Sequence, residues 1–263
     1  MERTEMTADE YLKKVLEKHR VIVGPLSLAE KAAREIAFLF ERDFDPAPVA
    51  TEISGSYAKG TAVRHNTDID LLLSFTSSLK EPVAQLSFRV SQFLNGNRIP
   101  CSRKGVAWCI HWGLVSVDIV PARRQDAHSQ DLTLHHWRVG GWTKTNITKQ
   151  ISFVKNSGRL DEIKLMKIWR NQKQLELPSV CLELAVIEAL KGKHRGELVN
   201  NFIAVLQYLA ENARTMRLVD PGNPSNVVTD SLGWQKRNSI SVVANQALVS
   251  AQLSLASVIS LHG

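Results

Sequence analysis

Two aspartates that precede a short apolar run constrain this chain more than any other feature of its sequence. Asp68 and Asp70 are separated by one residue and are followed by Leu71-Leu72-Leu73, a run with the length and composition of a buried strand. Residues i and i+2 of a strand point to the same side, so both carboxylates face one way. Two such carboxylates are electrostatically costly unless a positive charge lies between them. The pattern therefore predicts a divalent cation at the start of this strand.

A third carboxylate and an upstream glycine-containing turn extend this pattern. Asp118 lies 48 residues after Asp70, within V-S-V-D-I-V-P, and its apolar neighbours predict a central strand, where an unpaired carboxylate is costly. Before the first of these strands, Gly55-Ser56 and Gly60-Thr61 predict a turn whose amides and hydroxyls suit phosphate oxygens. Each piece alone is also typical of a solvated loop or turn. Their order along the chain predicts a site for two Mg²⁺ (or Mn²⁺) ions and a nucleoside triphosphate.

These residues carry a family resemblance. The elements G-S-x-x-x-G-T, D-I-D-L and V-D-I-V-P resemble the catalytic core of the DNA polymerase beta-type nucleotidyltransferases. Within that superfamily they resemble the branch that holds oligoadenylate synthetases, bacterial cyclic-oligonucleotide synthases (CD-NTases) and archaeal CCA-adding enzymes. The resemblance implies an α/β (α+β) fold with a mixed sheet in a catalytic lobe and a helical C-terminal lobe. We expect the catalytic lobe, with its N-terminal helices, over residues 1–155, and the lobe that closes the nucleotide cleft over residues 156–263.

Composition indicates the class of partner and the cell compartment that we expect for this protein. The chain has 263 residues and a formal net charge of +7, which suits an anionic partner, either a nucleotide or a nucleic acid. No apolar run reaches the length of a membrane span, and the acidic, polar N-terminus is unlike a signal peptide. The three cysteines have no C-x-x-C spacing, so neither zinc nor disulfides are indicated. We therefore expect a cytoplasmic protein without membrane contact.

Hydrophobic periodicity and end signals predict the remaining elements. Residues 7–20 predict a helix that opens with a capping box formed by Thr7 and Glu10. Other helices are predicted at about 27–43, 86–94, 197–214 and 240–260, strands at 107–112 and around Asp118, and a pair of helices after Gly158. The stretch V-D-P-G-N-P-S-N-V-V at 219–228 predicts a loop, because two prolines and a glycine break helicity. It resembles the loop of this branch that closes over the nucleotide cleft.

Two basic stretches follow the Asp118 strand, and each has two interpretations. Arg123 and Arg124 either hold phosphate or an acceptor strand, or form a solvated charge pair. A second stretch combines basic and aromatic side chains, which either stack bases or pack in the core. Its members are His135, His136, Trp137, Trp142 and Lys144.

The pair of helices after Gly158 also resembles the C-terminal lobe of the same branch. The first helix contains L-D-E-I-K-L-M-K-I-W-R, and the second opens with P-S-V-C-L-E-L. A helix N-terminus that bears a serine hydroxyl is a ready anion site. The resemblance implies that Lys167 and Ser179 hold the triphosphate, with Lys164 as a further candidate and Gly55, Ser56 and Thr61 on the opposite side of the cleft. The alternative is a plain pair of helices with a capping serine and a solvated lysine.

The resemblance also implies a reaction. Asp68, Asp70 and Asp118 are expected to be the catalytic and metal-binding residues of a two-metal attack on the α-phosphate of an NTP or dNTP, with release of pyrophosphate. The expected product is a short cyclic or linear oligonucleotide that serves as a signal in anti-phage defence, with a regulatory or effector protein as a possible partner. One alternative is a tailing enzyme that acts on the 3′ end of tRNA, other RNA or DNA. Another is nucleotidylation of a protein or small molecule.

Overall fold

The computed structural model of the chain describes residues 6–64, 68–137 and 140–261. In this part of the chain the α-helices are α1 (Ala8–Lys18), α2 (Leu28–Asp43), α3 (Gly55–Lys59), α4 (Val83–Gly96), α5 (Ile147–Asn156), α6 (Leu160–Gln172), α7 (Ser179–Ala189), α8 (Leu198–Asn212) and α9 (Trp234–Ala251). The strands are β1 (Ala50–Ser54), β2 (Ile69–Phe75), β3 (Cys101–Lys104), β4 (Ala107–Trp112), β5 (Val115–Arg124), β6 (Leu132–His136), β7 (Gly141–Thr145), β8 (Val219–Asp220) and β9 (Asn223–Val227).

A mixed sheet forms the centre of the N-terminal half. Its strand order is β1-β2-β5-β4-β3, and β6 pairs with the last part of β5 and with β7. Only β2 and β5 run parallel among the described strand pairs, while β1, β4 and β6 are antiparallel to their neighbours. This architecture confirms the predicted α/β fold with a mixed sheet.

The two faces of the sheet carry different side chains because neighbouring residues of a strand point in opposite directions. One face packs on α2 and α4, and its buried side chains include Ile69, Leu71, Val117 and Ile119. The opposite face buries a smaller cluster that includes Leu72 and Val120. Even-numbered positions of β2 and β5 therefore share the second face. The face covered by α2 and α4 is apolar along these two strands except at Arg123, near the end of β5.

The C-terminal half has its own core, built from helices α6 to α9. Trp169 of α6 and Phe202 of α8 are fully buried at its centre. Leu12 and Val15 of α1 belong to the same cluster, so the first helix packs with the C-terminal helices rather than with the sheet. The division into lobes at residue 155 stays a prediction. Within the described ranges no helix is long and apolar enough to cross a membrane.

Capping residues in the sequence determine where α1 and α2 begin. Thr7 Oγ1 accepts a hydrogen bond from the Glu10 amide at 3.3 Å, and the Thr7 amide donates to Glu10 Oε2 at 2.8 Å, which confirms the predicted capping box. Ser27 caps α2 through a single hydrogen bond, in which its hydroxyl accepts from the Glu30 amide at 3.2 Å.

Three expectations need correction. The last helix begins at Trp234 and ends at Ala251, earlier than the predicted 240–260, because Gly233 provides an extended cap before it. The predicted loop at 219–228 contains the β8–β9 pair, whose turn is stabilised by Asp220 Oδ1 accepting from the Gly222 amide at 2.7 Å. The Gly-Ser turn is the one-turn helix α3, closed by Gly60 at φ 74°. Strands β3, β6 and β7 and helix α5 were not predicted.

Candidate active site

The three predicted carboxylates meet on two neighbouring strands. Asp70 of β2 lies directly opposite Asp118 of β5 in the parallel register, and Asp68 immediately precedes β2. Paired residues in a sheet point to the same face, here the face opposite α2 and α4. Asp118 is only 6% exposed. The parallel pairing of β2 and β5 is therefore what brings residues 48 positions apart in sequence into one cluster.

A lysine that the sequence did not indicate bridges this cluster. Nζ of Lys104, at the end of β3, donates a hydrogen bond to Asp68 and lies 2.7 Å from Oδ2 of Asp118. Partial burial alone would lower the pKa of Lys104, but its hydrogen bonds to Asp118 and Asp68 raise it above its usual value. Likewise, burial would raise the pKa of Asp68, but the hydrogen bond from Lys104 lowers it. An ammonium group thus supplies the positive charge that two adjacent carboxylates require.

The charge on this cluster is only partly compensated. Burial, and next the charge of Asp118, raise the pKa of Asp70 to about 6. No described residue hydrogen-bonds the buried Oδ1 of Asp118, although buried polar atoms are nearly always paired. Across the described ranges no three His, Cys, Asp or Glu side chains form a ready ligand group for a metal ion. The chemistry of the donors nevertheless fits a hard divalent cation, since all three are carboxylates and one oxygen is without a partner.

Gly55 packs directly against the Asp70 carboxylate. It has φ +59°, and a Cβ at this position would lie 1.7 Å from Oδ2 of Asp70. The adjacent Ser54 hydroxyl donates to the Asp70 carbonyl oxygen at 3.2 Å. The group that the backbone approaches at Gly55 is therefore the Asp70 carboxylate itself. Only glycine combines this positive φ with the absence of a side chain.

A cleft of about 600 Å³ separates the carboxylates from helices α6 and α7. Most of the predicted site residues line it, namely Gly55, Ser56, Asp68, Asp70, Asp118 and Ser179. Cationic side chains that the sequence did not single out also line it, namely Lys59, Lys104, Arg170 and Lys236. The structure thus brings the Gly-Ser segment, the carboxylates and the start of α7 around one space.

Ser179 is held by an arginine one turn along the neighbouring helix from Lys167. Nη1 of Arg170 donates to Ser179 Oγ at 3.0 Å and to the Leu177 carbonyl oxygen, also at 3.0 Å. The spacing K-I-W-R places Arg170 on the same side of α6 as Lys167, which was the available sequence signal for it. The hydroxyl of Ser179 and the guanidinium of Arg170 therefore form one polar unit at the cleft wall.

Lys167 and Thr61 lie below the cleft rather than on its wall. Nζ of Lys167 is 2.7 Å from Glu183 Oε1 and 2.8 Å from Thr61 Oγ1, and Lys59 Nζ is 2.9 Å from Glu183 Oε2. Lys167 is 2% exposed and Thr61 is fully buried. Lys164 is paired with Asp161 at 3.1 Å and does not line the cleft either. In the structure these side chains are bonded to other protein groups and do not line the cleft. For these three residues a nucleotide-binding role stays a prediction.

The buried network around Glu183 joins the two halves of the chain. Lys59 ends α3 and Thr61 follows it, while Lys167 and Glu183 belong to α6 and α7. Burial alone would raise the pKa of Glu183, but the charges of Lys59 and Lys167 lower it below its usual range. Its carboxylate therefore stabilises the fold at neutral pH, and this contribution is lost as the pH falls through its folded-state pKa.

Replacing Glu183 by alanine is expected to lower the free energy of unfolding by about 3–5 kcal/mol, because two buried ammonium groups lose their partner. Urea unfolding at neutral pH measures the change. Glu188→Ala is the matched control, since Glu188 pairs only with the exposed Lys191 and should cost less than about 1 kcal/mol. Equal losses in the two variants would show that the network contributes little.

Comparisons of the sequence and of the structure give different results. No protein-family model matches the sequence, and no curated protein matches it. The structure is similar to E. coli MS115-1 CdnC with ATP (TM-score 0.76, 19% identity, 96% of this chain and 95% of that chain). It is also similar to the Bradyrhizobium diazoefficiens CD-NTase CdnG in complex with GTP (0.73, 14%, 97% and 95%). A third neighbour is the Elizabethkingia meningoseptica CdnE cyclic dinucleotide synthase with GTP and Apcpp (0.68, 13%, 92% and 98%).

These likenesses extend over both halves of the chain, because each covers more than nine-tenths of it. Sequence identity is low throughout, so the shared feature is the arrangement of helices and strands. The structure therefore confirms the polymerase beta-like fold predicted from the sequence: this chain has the fold of the CD-NTases.

Proposed function

We propose that this chain is a template-independent nucleotidyltransferase that joins NTPs or dNTPs into a short cyclic or linear oligonucleotide. The observation that carries the proposal is the register of Asp70 with Asp118 on the wall of a cleft that also contains Ser56 and Ser179. The carboxylates and Ser56 on the side of the sheet, with Ser179 and Arg170 on the side of the helices, suit a nucleoside triphosphate bound between them. The neighbours solved with ATP or GTP support this assignment.

Each of these residues of the cleft has its own role in the proposed reaction. Two divalent cations, Mg²⁺ or Mn²⁺, held by Asp68, Asp70 and Asp118 would supply Lewis-acid stabilisation of charge. Asp118 has a carboxylate oxygen without a partner, and we assign to it the proton of the attacking hydroxyl. Ser56 and the unit of Ser179 and Arg170 would hold the triphosphate from opposite sides of the cleft. Holding the α-phosphorus in line with the hydroxyl is the main contribution of such a site.

The nature of the product is the finer part of the proposal. An oligonucleotide made from nucleotides alone is favoured by the neighbour described as a cyclic dinucleotide synthase. The family resemblance implies that such a product is a signal in anti-phage defence in the cytoplasm. The proposal includes this role. The second candidate is a tailing enzyme on a nucleic-acid 3′ end, which the net charge of +7 favours.

Incubation of the purified chain with all NTPs and dNTPs and with Mg²⁺ or Mn²⁺ tests these candidates when products are resolved by mass. Reactions run without RNA, with RNA and with single-stranded DNA separate synthesis from tailing. We expect oligonucleotides in the reaction without an acceptor. Products formed only when an acceptor strand is present would replace the proposal with the tailing activity, and no nucleotide product under any condition would refute both.

Lys104 is expected to compete with divalent cations for the carboxylates. Without Mg²⁺, Lys104→Ala should lower the unfolding temperature by about 2–4 °C, the shift that about 1 kcal/mol produces in a chain of this size, because a half-exposed ion pair is worth no more. With Mg²⁺ the variant should recover this loss and gain more than the wild type, since ligand binding stabilises the folded state. Thermal unfolding with and without Mg²⁺ measures both effects.

The exposed Lys80 provides the control for this experiment, because it takes no part in the cleft. Lys80→Ala should show the same Mg²⁺ response as the wild type. If Lys104→Ala also responded to Mg²⁺ as the wild type does, the ammonium group and the cation would not compete for the carboxylates.

A further inference from the structure

A second cavity, of about 540 Å³, opens between the N-terminus of α4 and the β6–β7 hairpin. We call it the hairpin cavity, and its functional side chains are Arg123, His135, Trp142 and Lys144. Its volume lies in the range of small-molecule sites, roughly 300–1,000 Å³. Nothing in the proposed reaction uses it, so its chemistry needs a separate account.

The hairpin cavity is distinct from the catalytic cleft. Arg123 lies five residues after Asp118 in β5, which at about 3.3 Å per residue is roughly 17 Å along the strand. An odd separation also places the two side chains on opposite faces of the sheet. Consistent with this, Nη1 of Arg123 donates to the carbonyl oxygens of Leu79 and Glu81, just before α4, at 3.1 and 2.8 Å. A molecule in the hairpin cavity is therefore not the one that reacts at Asp118.

The charge of the hairpin cavity favours an anion. Among the described residues that line it, Arg123 and Lys144 are cationic and none is acidic. The first turn of α4 contributes Val83 and Ala84 to the wall, contains no acidic residue, and has no side-chain cap. Its free amides and the helix dipole make this end of the 14-residue helix attractive to phosphate.

An unpaired histidine points independently to a bound ligand. His135 is 8% exposed, and no side-chain hydrogen bond joins it to any described residue. Its ring packs edge-on against Trp137, with centroids 4.3 Å apart. Neither ring nitrogen of His135 is among the buried atoms that lack a partner in the described ranges, so the imidazole is open to the hairpin cavity and available to a ligand. Because His135 lines the hairpin cavity, a ligand there would satisfy it.

The remaining wall provides a platform for an aromatic group. Trp142 is 62% exposed, and Lys144 Nζ lies 5.9 Å from the centre of its ring. An exposed tryptophan next to a lysine is typical of surfaces on which nucleic-acid bases stack beside their phosphates. One such platform accommodates one base.

We propose that the hairpin cavity binds one nucleoside phosphate, either free or as a unit of a single strand. The base stacks on Trp142, and the phosphate is held by the first amides of α4, Lys144 and His135. This site is additional to the proposed catalytic function and does not depend on it, because it requires binding and no turnover.

Photocrosslinking with 8-azido-ATP, followed by tryptic digestion and mass mapping, tests the proposal in the full-length chain. Asp118→Asn is used as the background so that no nucleotide is consumed. We expect label on the tryptic peptide that ends at Lys144, in addition to label at the catalytic cleft. Trp142→Ala should reduce label on the hairpin peptide about tenfold, the loss expected for one stacked base, and leave the cleft label unchanged. Lys144→Glu, in which the hairpin peptide extends to Lys149 because the cleavage site is lost, should act like Trp142→Ala. Lys155→Glu, a charge reversal at an exposed position of α5, should alter neither label.

Competition identifies the source of the nucleotide. If unlabelled ATP protects the hairpin peptide at a lower concentration than a single-stranded oligoribonucleotide does, the ligand is a free nucleotide. If the oligoribonucleotide protects at the lower concentration of the two, the ligand is a unit of a strand. Protection by inorganic phosphate at the same concentration as ATP would contradict base recognition and overturn the proposal. The absence of label on the hairpin peptide, or label that Trp142→Ala does not reduce, would also overturn it.

Discussion

Replacing Asp118 by asparagine is expected to lower nucleotide incorporation by about a thousandfold or more while the chain remains folded. A bound cation contributes several kcal/mol to the transition state, and each 1.36 kcal/mol is a factor of about ten in rate. Asparagine keeps the shape of the side chain but removes the charge beside Asp70, whose pKa is raised to about 6 by burial and next by the charge of Asp118. Incorporation of labelled NTPs with saturating Mg²⁺ measures the effect.

Asp230→Asn is the control for this substitution, because Asp230 is exposed and lies outside the cleft. It should leave the rate unchanged, and circular dichroism should show native helix content in both variants. Wild-type turnover in Asp118→Asn would remove Asp118 from the catalytic set.

Gly55→Ala is expected to lower incorporation by about a hundredfold, the effect of misplacing a catalytic group by about 1 Å. The added Cβ would overlap Oδ2 of Asp70, at 1.7 Å, so the carboxylate or the start of α3 must move. Steady-state rates over a range of Mg²⁺ concentrations measure the loss, which should persist at saturating cation because the geometry is wrong.

Gly113 provides a matched control for backbone strain. It has φ +60°, close to the +59° of Gly55, but a Cβ there would meet nothing within 4 Å. Both alanine variants should lose about 1–2 kcal/mol of stability from the left-handed conformation, and only Gly55→Ala should lose activity. Equal activity in the two variants would show that contact with Asp70 is not important.

The carboxylates could be predicted from sequence because their signals are local. Alternation along β2 places Asp68 and Asp70 on one side, and apolar neighbours mark Asp118 as part of a buried strand. That β2 and β5 pair in parallel, with Asp70 opposite Asp118, is a long-range fact that periodicity alone does not contain. The resemblance to a known catalytic core predicted that the three aspartates share one site, but it did not give this register.

The cations around the site could not be predicted in the same way. Lys104 reaches Asp68 and Asp118 only because β3 and β4 fold back beside β5, and no spacing in the sequence reports this. Lys167 was expected at the cleft, yet its ammonium group is buried in an ion pair with Glu183. A carboxylate and a lysine that are far apart in sequence give no sign of their pairing until the chain is folded.

The β6–β7 hairpin shows a third limit. Its aromatic and basic residues were noticed, but their two interpretations could not be separated without the fold. The structure divides them: Trp137 packs on Trp108, with ring centroids 4.9 Å apart, and Trp142 stays exposed. Both interpretations therefore have a place, one in packing and one in the proposed nucleoside phosphate site.

The central claim is that the carboxylate cluster directs attack on the α-phosphorus of a nucleoside triphosphate. Its most direct test follows the fate of NTPs labelled at either the α- or the γ-phosphorus, with wild type and Asp118→Asn in parallel and Mg²⁺ present. We predict that α-label enters a phosphatase-resistant oligonucleotide, that γ-label leaves as pyrophosphate, and that Asp118→Asn does neither. Transfer of γ-label, release of free phosphate alone, or unchanged α-label incorporation by Asp118→Asn would contradict the claim.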